Sequence, residues 1–196
     1  MTASWIAARF GAAATLAAFP AQAEEFSPNP GRWRPVHYYD LQIPSGDAAN
    51  FASIRADRID ANNKAYAAKG DRRFTVANAP ATEAHFTINF TGKLVVLTVL
   101  NTATGCGKSL PFPAANVTVK LCPLRLATFE NGMVEIREAT GCFLERGAAA
   151  AGEDPAASVS YVAYDVPAKS FRLGMIVAHR AVPECSLTIP LRSEAW

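Results

Sequence analysis

Four residue groups in this chain have types and spacings that could do chemistry. The first is Gly107-Lys108-Ser109, which follows the apolar run Val95–Leu100 and ends like a phosphate-binding loop. Such a loop needs another Gly five residues earlier, so that backbone amides can wrap the anion. Thr102 stands there instead. The helix that should start at Lys108-Ser109 meets Leu110-Pro111-Phe112-Pro113, which cannot begin a regular helix of that kind. No nucleotide is expected.

The second group is Cys106, Cys122, Cys142 and Cys185. None forms a CxxC pair, so neither a redox motif nor a zinc knuckle is indicated, and two disulfides are expected. Ala103-Thr104-Gly105-Cys106 recurs as Ala139-Thr140-Gly141-Cys142, and in each copy the Gly could bend the chain to aim the sulfur. Counting from a hairpin turn at Asn131-Gly132 puts Leu121 opposite Cys142 and Cys122 opposite Gly141. A bulge near Gly141 would bring the two sulfurs together. That favours Cys122–Cys142 with Cys106–Cys185, against the rival set Cys106–Cys122 with Cys142–Cys185.

The third group is His37, His85 and His179, which lack HxH or HExxH spacing, so no metal site is expected. The fourth comprises possible nucleophiles and carboxylate pairs. No GxSxG elbow frames Ser45, Ser109 or Ser158, and Asp57 with Asp60 sits among Arg55, Arg58 and Lys64 as a solvated helix face would. No catalytic constellation and no cofactor motif emerges. Trp33, His37, Tyr38 and Tyr39 remain as candidate contacts for a partner or ligand, being apolar bodies with polar tips.

The elements that must position these groups are mainly strands. Val36–Ile43 is a candidate first strand, stopped by Pro44-Ser45-Gly46-Asp47, where Ser45 or Asp47 could cap a helix. Ala48–Lys69 follows, Ala-rich and free of Pro and Gly. Ala52, Ala56, Ile59, Asn63 and Tyr66 recur at helical spacing, predicting one amphipathic helix laid on a sheet. The period then changes to two: Phe86–Phe90 alternates, and Leu94–Leu100 is apolar on both faces, as a central strand is. Further strands are expected at Val117–Leu121, in a hairpin of Leu124–Phe129 and Met133–Glu138, and at Ser158–Asp165, Phe171–Ala178 and Leu187–Leu191. Residues 147–157 read as a small-residue loop. The fold class expected is mainly β (α+β): an antiparallel β-sandwich or partly closed barrel with one N-terminal amphipathic helix.

Tyr39-Asp40-Leu41-Gln42-Ile43-Pro44-Ser45-Gly46-Asp47-Ala48-Ala49 resembles the opening of the short signalling domain that precedes secretin and TonB-dependent receptor barrels. The resemblance implies a strand, a proline turn and a helix in that order. The helix that follows lacks that family's Leu-rich pattern, and no function is carried over.

Arg9, the apolar run Phe10–Phe19, Pro20 and Ala21-Gln22-Ala23 form the pattern of a secretory signal peptide with a cut before Glu24. Residues 1–23 would then be removed, leaving 24–196 as a single β-rich globular domain without a membrane span. The formal charge falls from +2 to +1, because Arg9 is the only charge lost. So nearly neutral a chain has no field to gather nucleic acid. With half its residues hydrophobic and 18% charged, it can bury a core. Together these features predict a periplasmic or secreted, non-enzymatic binding protein, such as an inhibitor, immunity or envelope accessory protein. Its partner would be a protein or small ligand of the cell envelope. An exported hydrolase whose residues converge only in the fold, or a structural envelope component, are the alternatives.

Overall fold

A computed structural model describes residues 33–43, 45–68, 80–90, 92–110, 117–147 and 157–191. The expected signal segment, Pro111 to Pro113 and most of the loop at 147–157 lie outside them. Two antiparallel sheets stack as a sandwich, with no closed barrel among the described residues. The first sheet contains β1 (Arg34–Pro35), β8 (Val159–Asp165), β9 (Ser170–Val177), β10 (Arg180–Ala181) and β11 (Leu187–Pro190). The second contains β2 (His37–Asp40), β3 (Ala81–Phe90), β4 (Lys93–Thr102), β5 (Ser109–Leu110), β6 (Val117–Glu130) and β7 (Met133–Arg146). The chain steps from one sheet to the other at buried Val36, whose amide donates to the Ser160 carbonyl.

As the two-faced apolar pattern of Leu94–Leu100 requires, β4 is central, paired with β3 on one side and β6 on the other. Val95, Leu97 and Val99 meet Leu124, Leu126 and Phe171 between the sheets. Val96 faces the other way, against Ile54 and Ala127, so a helical layer covers the second sheet from outside. Each fully buried large side chain of this kind contributes about 1.5–3 kcal/mol.

That layer departs from the expected single helix. It comprises α1 (Gly46–Asn50), a 3-10 turn (Ala52–Arg55) and α2 (Ala56–Ala68). Phe51 leaves helical geometry between the first two, and the shift changes which side faces inward. Ile54, Arg55 and Asn62 are buried, whereas Ala52 and Ala56 are exposed. Ser45 occupies the position before α1 but makes no side-chain cap. Asp47 instead accepts a 2.8 Å hydrogen bond from Thr87 Oγ1, tying the start of α1 to β3.

Val117–Leu121 and Leu124–Phe129 are not two strands but parts of one, and β6 and β7 pair as a hairpin of two 14-residue strands. Asn131 and Gly132 both have positive φ, as the type I′ turn demands. The expected register holds, with Leu121 opposite Cys142 and Cys122 opposite Gly141. No bulge interrupts it, and this overturns the favoured disulfide set. Successive strand residues point to opposite faces, so the sulfurs of Cys122 and Cys142 leave the ribbon in opposite directions. The bonds are Cys106–Cys122 and Cys142–Cys185. Gly141 is likewise no bend. A Cβ there would stand 2.7 Å from Leu124 Cδ1 and 3.3 Å from Val99 Cγ2, so the missing side chain makes room for the core.

Loops of these lengths give each bond about 3–4 kcal/mol of chain-entropy stabilisation. Peptide mapping under non-reducing conditions is expected to recover Cys106 linked to Cys122 and Cys142 linked to Cys185. A Cys122–Cys142 peptide would contradict the register.

Candidate functional site

Strand alternation sends the sequence-selected aromatics in different directions. Trp33 is half-buried just before β1. His37 is exposed on β2, directly across from His85. Tyr38 points between the sheets: its hydroxyl lies 2.6 Å from Ser160 Oγ and its ring meets Phe143 edge-on at 5.3 Å. About a third of Tyr38 remains exposed, while burial of its hydroxyl end pushes its pKa up. Tyr39 points to the helical side, edge-on to His85 at 5.9 Å. The four therefore do not share one patch.

The helical side of β3 carries a polar cluster that the sequence reading did not assemble. Glu83 and His85, two apart, share this face and are sealed, with 0% and 1% exposure. His85 Nδ1 lies 3.1 Å from Glu83 Oε1; a carboxylate only accepts, so Nδ1–H is the donor. Glu83 Oε2 lies 2.8 Å from Arg55 Nη1, an ion pair without hydrogen-bond alignment. Arg55 also donates to the Ala48 and Phe51 carbonyls, so one guanidinium gathers α1, the 3-10 turn and β3. Burial lowers the Arg55 pKa and the Glu83 charge opposes that. Arg55 thus leaves the solvated face expected for it. Phe51 stacks on the His85 ring at 5.8 Å, and Nε2 has no hydrogen-bond partner among the described residues.

A carboxylate that orients an imidazole is the arrangement of a general base or a metal ligand. Two cavities lie elsewhere, and neither is lined by Glu83 or His85. A pocket of about 20 Å³ lies between the sheets beside Val99, Cys142 and Met175, room for roughly one water. The other is an open cleft outside the second sheet. Among the described residues no group of three or more His, Cys, Asp or Glu could hold a metal ion.

That open cleft, about 460 Å³, lies beside the Cys106–Cys122 bond between Arg58, Lys108, Pro123, Glu138 and Thr140. The Gly107-Lys108-Ser109 segment forms one wall, and its polar backbone is already committed. The Gly107 amide donates to the Leu121 carbonyl at 2.7 Å, and Ser109 pairs with Lys120 across β5 and β6. Beside the cleft, Arg125 holds Asp57 with two nitrogens, donates to the Ile54 carbonyl at 2.7 Å and reaches Glu138 through Nε at 2.9 Å. Arg58 completes the network on Glu138 Oε2 at 2.9 Å. The hydrogen bonds from Arg125 hold Asp57 at about 2, lower Glu138, and in return raise Arg125.

Beyond this network the first half of β7 lies open. Met133, Val134 and Ile136 are 70%, 50% and 44% exposed. Among the described residues, strand β7 pairs with β6 alone, so one edge of this 14-residue strand carries no described partner strand. Compared with known proteins, the chain matches no family model, no curated protein and no solved structure.

Two outcomes follow. E83Q is expected to cost about 3–5 kcal/mol in urea unfolding, because it strands the buried Arg55 charge, while an R55M/E83L pair loses less than either single change. Asp57 titrates near 2 when folded, below its ordinary 3.8, so its contribution to stability is complete above about pH 4 and fades as pH falls to about 2. Melting temperature measured across that window should decline less steeply in D57N than in the wild type.

Proposed function

We propose that the chain is an exported, periplasmic or secreted, disulfide-stabilised binding protein without enzymatic activity, whose partner is a protein that docks along β7. The observation that carries this reading is the open edge of β7, bearing Met133, Val134 and Ile136. Natural sheets blunt their edges with short strands and prolines. The other edge strands do so here: β2 has four residues, β5 and β10 two each, β1 two with Pro35, and β11 ends in Pro190. Only β7, among the described residues, combines length with exposed apolar side chains. An added strand gains main-chain hydrogen bonds from such an edge and specificity from alternate side chains. Export accords with two disulfides and with the signal-peptide pattern of residues 1–23.

The exported-hydrolase alternative rests on the Glu83–His85 pair. A substrate would have to reach a side chain that is 1% exposed, beneath Phe51 and Tyr39. That weighs against it.

Placing p-benzoylphenylalanine at Ile136 or at Val166, exposed in the turn between β8 and β9, and irradiating exporting cells tests the docking face. Covalent protein adducts are expected at 136 and not at 166. Adducts at 166 alone, or at neither site, would overturn the reading.

A further inference from the structure

The β7 edge carries its own selection rule for a partner. Resting on the docking reading above, we infer that the strand added to β7 is β7 of a second copy, paired antiparallel about a twofold axis at Ile136. A twofold axis that extends one sheet into another stands normal to the sheet, so opposed residues must lie on the same face. Within the exposed half of β7, the allowed pairings are therefore those centred on a single residue.

The side chains decide among them. Centred on Glu135, Arg137 or Glu138, the axis sets like charges directly against each other, which is unfavourable across strands. Centred on Val134, the overlap runs into the Asn131-Gly132 turn almost at once. Centred on Ile136, Glu135 faces Arg137 of the second copy and Arg137 faces its Glu135. Two opposite-charge pairs then flank an Ile136–Ile136 contact. Val134 comes opposite Glu138, whose carboxylate is already drawn back to Arg125 and Arg58. Glu135 and Arg137 pair along the strand at 3.2 Å, and Arg137 also donates through Nη1 to the Pro190 carbonyl at the end of β11. The charges thus do not bar association. They choose one register.

The contact also extends the apolar cover of the second sheet. Ile136 stands opposite Ala127, and Val134 opposite Phe129, so a second β7 continues the row that ends at these half-exposed side chains.

Sedimentation velocity of the exported chain over a wide concentration range tests the inference. The wild type is expected to pass from one chain mass to two. E135R or R137E alone should raise the dissociation constant by about tenfold or more, because each turns two symmetric attractions into repulsions. The double variant E135R/R137E restores opposite charges across the axis and should recover most of the association. Unchanged thermal melting identifies folded variants, and the double variant keeps the test decisive if one single variant misfolds. A wild type that stays monomeric throughout, or a double variant that associates no better than the singles, would overturn self-pairing. Adducts at position 136 to a different protein, with a monomeric wild type, would overturn self-pairing while leaving the docking face standing.

Discussion

The turn at Asn131-Gly132 sets Glu130 opposite Met133, and the other contacts of the β6–β7 ribbon are counted from that pair. Because side chains alternate, a slip of one residue would exchange the two faces of the ribbon. Leu124 and Leu126 would leave the space between the sheets, and Arg125 would be driven into it. Cys122 would turn away from Cys106, and Gly141 would no longer stand where Leu124 and Val99 need room. Two disulfides, a core layer and the Asp57–Arg125–Glu138 network thus share one register.

The two faces of the second sheet are held by different physics. Toward the first sheet, interlocking apolar side chains supply the cohesion. Toward the helices, two smaller apolar clusters, one around Leu41, Ala48 and Leu100 and one around Ile54, Val96 and Ala127, are supplemented by polar pins: Arg55 on Glu83, Asp47 on Thr87, and Asn62 bonded to Thr104 and the Pro80 carbonyl. A buried ion pair of this kind adds little net stability, yet losing one partner is costly, so it fixes geometry more than it adds strength. The helical layer's apolar contacts reach Ala127 and Phe129 on β6. Val134 and Ile136, opposite them on β7, are left about half exposed. The open edge is thus where the helical cover ends.

Much of this was legible in the residues. Alternation located the strands, the two-faced apolar run of β4 marked the centre of the sheet, and Asn-Gly marked the hairpin and its register. A bulge at Gly141 is not needed, because the unbroken register sends Cys122 and Cys142 to opposite faces, where each meets another cysteine. Phe51's departure from helical geometry has no local signal in the sequence, and it turns Ile54 and Arg55 inward in place of Ala52 and Ala56. Glu83, His85 and Thr87 alternate with Ala84, Phe86 and Ile88, a pattern that reads equally as a solvent-facing strand side. Only the tertiary placement of Arg55 over it turns that side into a sealed cluster. The β7 edge is hidden for a similar reason: Val134 and Ile136 look like core residues until the end of the helical cover is known.

If a second copy pairs with β7, the outer edge of that strand is open in one chain and closed in two. Amide hydrogen exchange along residues 133–138, measured in dilute and in concentrated protein, tests it most directly. Alternate amides of this segment are expected to exchange freely when dilute and to become protected when concentrated, while β6 amides stay protected throughout. Equal protection of the β7 amides at both concentrations would contradict it.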